Sequence, residues 1–337
     1  MPAREPAQPS VLHVNDAAFT ARRMIGEAVR RGYEWHFMPK AAPAQEWRGI
    51  AGTARRAAIG GVWVARLRVR ALRHDVVHVH SASTLAHSRL GAPRYVLHCH
   101  GTDVRTTQYD PARQAGIRGG LRDAEAVFFS TPDLAEHVLP HRADAVYLPV
   151  PIDVSAVAQW SPADGRPQVV FASRWTRDKD SSDPDASQVA VARAVVAAVG
   201  DIADVVGLDW GDQAADAAAA GVHLVPRGDH AAYLALLSGA HVVIGQTAGI
   251  LAASELEALA AGAPLVTPVP LPLYDDVHPP VYGGSVAEAA DAVRALLTGG
   301  EKHDPDAARA WVRDVHGVEQ AVDTVARVHR DVVAARR

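Results

Sequence analysis

The chain has 337 residues, 48% of them hydrophobic and 21% charged, with a formal net charge of -4 at pH 7. That length exceeds one ordinary core and suggests two domains, no apolar run reaches the roughly 18 residues of a membrane span, and the near-neutral balance does not suggest a nucleic-acid binder. One cysteine, Cys99, excludes an internal disulfide. A buried thiol on a strand is its plain reading, and cytoplasmic residence is the default. The charge is unevenly divided: residues 1–150 carry 20 Lys/Arg against 13 Asp/Glu, and the remainder 14 against 25. A basic first half could meet an anionic acceptor or an anionic membrane surface.

Residues 1–10 are rich in Pro and Ala without an apolar centre and read as a loose tail. Val11-Leu12-His13-Val14 reads as a strand, followed by a turn at Asn15-Asp16 and a helix to Arg30 that Gly32 closes. Further strands are expected over 33–37, 75–80, 94–98, 126–129 and 145–148. A basic helical stretch over 54–73, interrupted at Gly60-Gly61, lies among them. Each strand runs into a polar or Gly/Pro loop, as in His100-Gly101-Thr102-Asp103 and Ser130-Thr131-Pro132-Asp133. Such alternation argues for a parallel, doubly wound sheet whose ligands sit at the strand carboxyl ends.

Ser161-Pro162-Ala163-Asp164-Gly165-Arg166-Pro167 is a natural linker, after which the alternation restarts. Strands are expected over 168–172, 203–206, 221–225, 241–244 and 264–266, with helices over 187–199, 230–237 and 252–261. The tail over 307–337 is helical with a break near Gly317. The expected organisation is α/β, with one Rossmann-like domain over 1–160, a second over 168–315, and a last helix over 316–337 crossing back to the first.

Two segments carry the chemistry. Val169-Val170-Phe171-Ala172-Ser173-Arg174 is a strand that ends in a cation, with Lys179 five residues on. About eighty residues later, Ser254-Glu255-Leu256-Glu257-Ala258-Leu259-Ala260-Ala261-Gly262 is an acidic helix, which Gly262 suits for a left-handed cap and Pro264 stops. Cations at a strand's carboxyl end plus a distal carboxylate make a clamp for a nucleoside diphosphate: the cations take the phosphates, the carboxylate the ribose hydroxyls. The plainer reading of the first segment is a solvated charged loop, since Arg177, Asp178 and Asp180 are neighbours.

The architecture and these motifs resemble retaining glycosyltransferases of family 4, with the GT-B architecture of two Rossmann-like doubly wound parallel-sheet domains facing a cleft. The resemblance runs over most of the chain and is most specific from Val169 to Val266. It assigns Arg174 and Lys179 to the donor diphosphate, where positive charge favours departure of the leaving group. It assigns Glu257, followed by Ala258 and by Gly262 five residues on, to the ribose hydroxyls. The family's first glutamate, eight residues earlier, falls here on Gly249, so the group that helps hold the donor sugar is replaced. Gly249, Ile250 and Leu251 could offer backbone N–H groups to phosphate. Glu255 is expected on the solvent face of its helix, because it points away from Glu257. Val225, Pro226 and Arg227 are placed near the base, and His100 matches the histidine that contacts the donor sugar.

On the acceptor side, Asp16, Asp103 and Tyr109 are candidates, with Asp16 equally suited to an Asx turn or helix cap. His78, His80, His98 and His100 would share one face if their strands are neighbours, but strand interiors are cramped for a metal and no acidic partner reinforces it. No metal and no cofactor are expected beyond the nucleotide sugar as co-substrate. Arg66, Arg70 and Arg73 fall on one side of a helix with Trp63; a solvated outer face is preferred to a peripheral contact with the inner membrane face. The function implied is sugar transfer from a nucleoside-diphosphate donor to a small-molecule, glycan or lipid-linked acceptor, with retention and without metal. The rival is a non-catalytic nucleotide-sugar-binding partner, or a pseudo-glycosyltransferase or sugar epimerase on the same fold.

Overall fold

The computed structural model describes residues 8–40, 49–176 and 187–337. The chain divides into two compact units, 1–151 with 318–337, and 152–317. In the first unit six parallel strands are ordered β2-β1-β3-β4-β5-β6. They are β1 (Val11–Val14), β2 (Trp35–Met38), β3 (Val76–His80), β4 (Val96–Cys99), β5 (Ala126–Phe129) and β6 (Val146–Tyr147). The second unit repeats the pattern in the order β12-β11-β10-β7-β8-β9. Its strands are β7 (Gln168–Phe171), β8 (Asp204–Leu208), β9 (His223–Val225), β10 (Val242–Ile244), β11 (Leu265–Thr267) and β12 (Tyr282–Gly283).

Strand periodicity divides the first sheet cleanly. Leu12, Val14, Val77, Val79, Leu97, Cys99, Val127 and Phe129 pack on one face, against Leu67, Leu85, Tyr95 and Leu121. Cys99 is fully buried there, as its sequence context suggests, and burial pushes its thiol well up from the ordinary value. The alternate residues Val11, Val76, Val96 and Phe128 face Met24, Ala28 and the apolar side of the helix Val318–Ala334. The last helix therefore belongs to the first unit, and Arg336 ties its end to Glu125.

Two boundaries differ from the sequence reading. The first unit ends at Pro151 rather than near residue 160. The next residues are stitched to the second unit: Ile152 N–H donates to the His316 carbonyl at 2.7 Å, and Trp160 donates through its backbone to Ala261 and through Nε1 to Ala240. The basic helix is also longer, Gly49–Ala71, and runs through Gly60-Gly61 without a break. Glycine costs a helix about 1 kcal/mol, which tertiary anchors offset here. Leu67 is buried, Trp63 Nε1 donates to the Pro39 carbonyl, and Arg70 donates to the Phe37 carbonyl. Arg66 and Arg73 are exposed. Among the described residues no helix is long and apolar enough to cross a membrane.

Candidate functional site

In the second unit, four neighbouring strands deliver their carboxyl ends to one region. β7 leads into Ser173-Arg174-Trp175, β8 into Asp209-Trp210-Gly211, β9 into Pro226-Arg227, and β10 into the loop before the helix Ala253–Ala261. Trp175 explains how the first of these loops is built. Its ring is fully buried, Nε1 donates to the Leu208 carbonyl at 2.9 Å, and its backbone exchanges hydrogen bonds with Trp210 and Gln213. Gly211 makes this approach feasible, since a Cβ there would lie 2.0 Å from the Trp175 carbonyl oxygen and φ is +126°. Anchoring Trp175 inward leaves Arg174 outward and exposed.

Arg174 lies over the ring of Trp210 at 5.8 Å, and Arg227 over the same ring at 4.3 Å. Two cations assigned separately, one to phosphate and one to the base, thus meet on one indole that is 40% exposed. The sequence reading passed over Trp210. A tryptophan next to glycine in the loop after an apolar strand was the available signal. Val225 precedes this loop, and its carbonyl accepts from Asp209 N–H at 2.8 Å; Pro226 is exposed. Lys179 lies outside the described residues, as do Arg177, Asp178 and Asp180.

Glu257 is buried in its helix, and its Oε1 is 2.8 Å from His230 Nε2. His230 opens the helix His230–Gly239, whose N-cap Asp229 accepts from Ala232 N–H. One turn on, Tyr233 donates to the Ala172 carbonyl at 2.7 Å, joining this helix to the end of β7. Burial, together with the Glu255 and Glu257 carboxylates, pushes the Tyr233 phenol up from its ordinary value. His230 and Tyr233 also escaped the sequence reading, because their partners lie 27 and 61 residues away.

Glu255 corrects an expectation. It is 1% exposed rather than solvent-facing. Its Oε1 accepts from Gln246 N–H and its Oε2 from Ala252 N–H and the Ser254 hydroxyl. It holds both ends of the loop that contains Gly249, and burial raises its carboxyl above the ordinary value despite those donors. The Leu251 N–H, expected to be open to phosphate, donates instead to Tyr274 Oη at 2.7 Å. Gly249 sits at φ +68°, a left-handed conformation that a glutamate rarely adopts, although a Cβ there would meet nothing closer than 3.9 Å. The helix ends with Gly262 in the left-handed region, as its sequence suggests.

In the first unit, the strand ends carry imidazoles. His100 follows β4, with Nε2 3.0 Å from His80 Nδ1 and Nδ1 3.0 Å from Ser130 Oγ. Burial pulls its pKa down to about 4, against an opposing pull from Asp103. Asp103 is not open to an acceptor hydroxyl. Its Oδ1 accepts the N–H groups of His100, Gly101 and Val104, and its Oδ2 that of Ala82. Four donors fill a carboxylate's capacity, so Asp103 positions the His100 loop. Asp16 likewise accepts the Ala21 N–H at the helix start, with Arg22 at 3.4 Å, and burial raises its carboxyl. Tyr109 is half exposed, its hydroxyl 2.8 Å from His137 Nδ1.

No protein-family model matches the sequence, and no curated protein does. Solved structures do match in fold. HepE of Anabaena, solved with UDP and glucose, superposes with a TM-score of 0.67 at 13% identity, over 96% of this chain and 100% of its own. The sucrose-phosphate synthase of Thermosynechococcus elongatus gives 0.64 at 14%, over 97% and 100%. AviGT4, a glycosyltransferase of avilamycin A biosynthesis, gives 0.62 at 16%, over 97% and 98%. These likenesses establish the fold: two parallel six-stranded sheets with flanking helices, as in GT-B glycosyltransferases.

Proposed function

We propose that the protein is a glycosyltransferase that takes a nucleoside-diphosphate sugar and transfers the sugar with retention, without a metal at the donor phosphates. The observation that carries this reading is the meeting of Arg174 and Arg227 on Trp210 at the carboxyl ends of adjacent parallel strands, with the buried carboxylate of Glu257 on the helix that follows β10. Arg174, with Lys179 from its spacing, supplies positive charge to the diphosphate; the Trp210 indole offers a flat face to the base; Glu257 accepts ribose hydroxyls. The UDP and UDP-glucose complexes of HepE support a donor of this class.

In the step itself, an acceptor hydroxyl oxygen bonds to the anomeric carbon while the bond from that carbon to the β-phosphate oxygen breaks. The departing diphosphate receives the acceptor's proton on the same face. Cationic side chains fixed before reaction stabilise the charge that develops there. The acceptor is a small molecule, a glycan or a lipid-linked sugar.

A second reading follows from Gly249. With glycine at φ +68° where related enzymes carry glutamate, the chain would bind a nucleotide sugar as a non-catalytic partner, or act on it as a pseudo-glycosyltransferase or epimerase. Incubation with a panel of nucleoside-diphosphate sugars, followed by release of nucleoside diphosphate and NMR of the product anomer, separates these. Transfer or hydrolysis with retained configuration supports the enzyme. Binding without turnover of any donor supports the partner, and inversion rejects the mechanism.

A further inference from the structure

Six imidazoles meet inside the first unit, and donor chemistry uses none of its inner members. The register of β1 on β3 sets His13 beside His78, and the two-residue strand period sets His80 on the same face. β4 adds His98 beside His80, and the helix Val318–Ala334 adds His329 above them. His13, His78, His80, His98 and His329 are all fully buried. His13 Nε2, His78 Nε2, His98 Nδ1 and His329 Nδ1 have no hydrogen-bond partner. A core that needed only volume here would use leucine or phenylalanine, since a buried imidazole nitrogen without a partner is unfavourable.

We propose that His13, His78 and His80 form a binding site for one zinc-class transition-metal ion. One ring nitrogen from each lies within 4.8 Å of the other two. Three such atoms surround a point no more than about 2.8 Å from each, against about 2.1 Å for a zinc–imidazole bond, so side-chain shifts of under about 1 Å close the site. His78 and His80 have the outer contact of a ligating histidine, whose second nitrogen is held elsewhere. His78 Nδ1 is 3.1 Å from His329 Nε2, which leaves Nε2 for the ion. His13 Nδ1 is 3.0 Å from His80 Nε2, and His80 Nδ1 is held by His100. His80 joins the ion by giving up its contact with His13. The site is built wholly within the first unit, and its test does not depend on the proposed transfer.

The overlapping trio His80, His98 and His100 meets the same distance criterion, but only His98 in it has an unpartnered nitrogen. A surface pair, His36 and His74 at 3.1 Å, is the place for adventitious metal. The test is titration of chelator-treated full-length protein with Co²⁺ and Zn²⁺, read by visible d–d absorption, by metal content after gel filtration and by thermal shift. Expected are saturation at one ion per chain, a raised Tm, and an all-nitrogen first shell with imidazole scattering in zinc X-ray absorption of the wild type. H13Q and H78Q should abolish the bound ion, whereas H98Q and H36Q retain it. Circular dichroism reports whether each variant folds, and the absorption measurement needs no variant. Absence of a retained ion in the wild type, loss in H36Q, or loss in H98Q with retention in H13Q would each overturn the proposal.

Discussion

His230 Nε2 sits 2.8 Å from Glu257 Oε1, so a carboxylate buried to 3% exposure is held by a residue that opens a different helix. The contact fixes the carboxylate's direction before any ligand arrives. Glu257→Gln keeps the shape and removes the charge. A hydrogen bond to a charged group contributes about 1.5–3 kcal/mol, so the variant should bind UDP roughly ten- to a hundredfold more weakly by calorimetry. An unchanged Kd would remove Glu257 from the site.

Gly211 permits the Trp175 loop to close on β8. Gly211→Ala would drive a methyl into the Trp175 carbonyl at a backbone angle that L-residues avoid. A loss of about 2 kcal/mol or more in urea unfolding is expected, with weaker UDP binding because Arg174 and Trp210 share that loop pair. A variant as stable as the wild type would contradict the packing described.

Asp103 serves four backbone N–H groups. Asp103→Ala removes the acceptor of the Ala82, His100 and Gly101 N–H groups, while Val104 N–H keeps the Gly101 carbonyl, and should cost about 3 kcal/mol or more. An acceptor-binding role would instead appear as a raised KM in a protein of normal stability.

The imidazole cluster makes stability depend on acid. Burial holds His13, His78, His80 and His98 well below the ordinary 6.5, and brings His100 to about 4 and His329 to about 3. Below pH 6.5 the unfolded chain therefore binds protons that the folded chain refuses. The stability is complete above that value and is lost as pH falls toward the folded values. At about pH 5 each imidazole contributes up to about 2 kcal/mol of loss. Urea midpoints of metal-free protein in chelator should fall steeply between about pH 6.5 and 4 and stay flat from about 7 to 8. A flat profile through pH 5 would mean that the cluster protonates in the folded state.

Much of the frame was legible in the sequence because short apolar runs ending in polar loops are a local signal. β1, β4, β5, β7 and β10 fall within two residues of their expected limits. Gly262 read correctly as a helix end, since a left-handed cap depends on the residue that occupies it. What escaped depends on distant partners. Glu255 looked like a surface residue from helical spacing, yet its carboxylate serves the N–H groups of Gln246 and Ala252. Its position three residues after the N-cap Ala252 was the missed hint. Trp210 and His230 gain meaning only when β8 and the helix His230–Gly239 are placed beside β7 and the helix of Glu257. Asp103 looked like an open acid because nothing in the order His-Gly-Thr-Asp reveals that its oxygens turn back on the loop.

The central claim is that Arg174 engages a nucleoside diphosphate at the end of β7. Calorimetric titration of wild type and Arg174→Ala with UDP and UMP tests it most directly, since only UDP carries the β-phosphate. The account predicts one UDP bound per wild-type chain, and at least a tenfold loss of UDP affinity in the variant with UMP affinity less affected. Equal UDP affinity in the two proteins, with the variant folded, would contradict it.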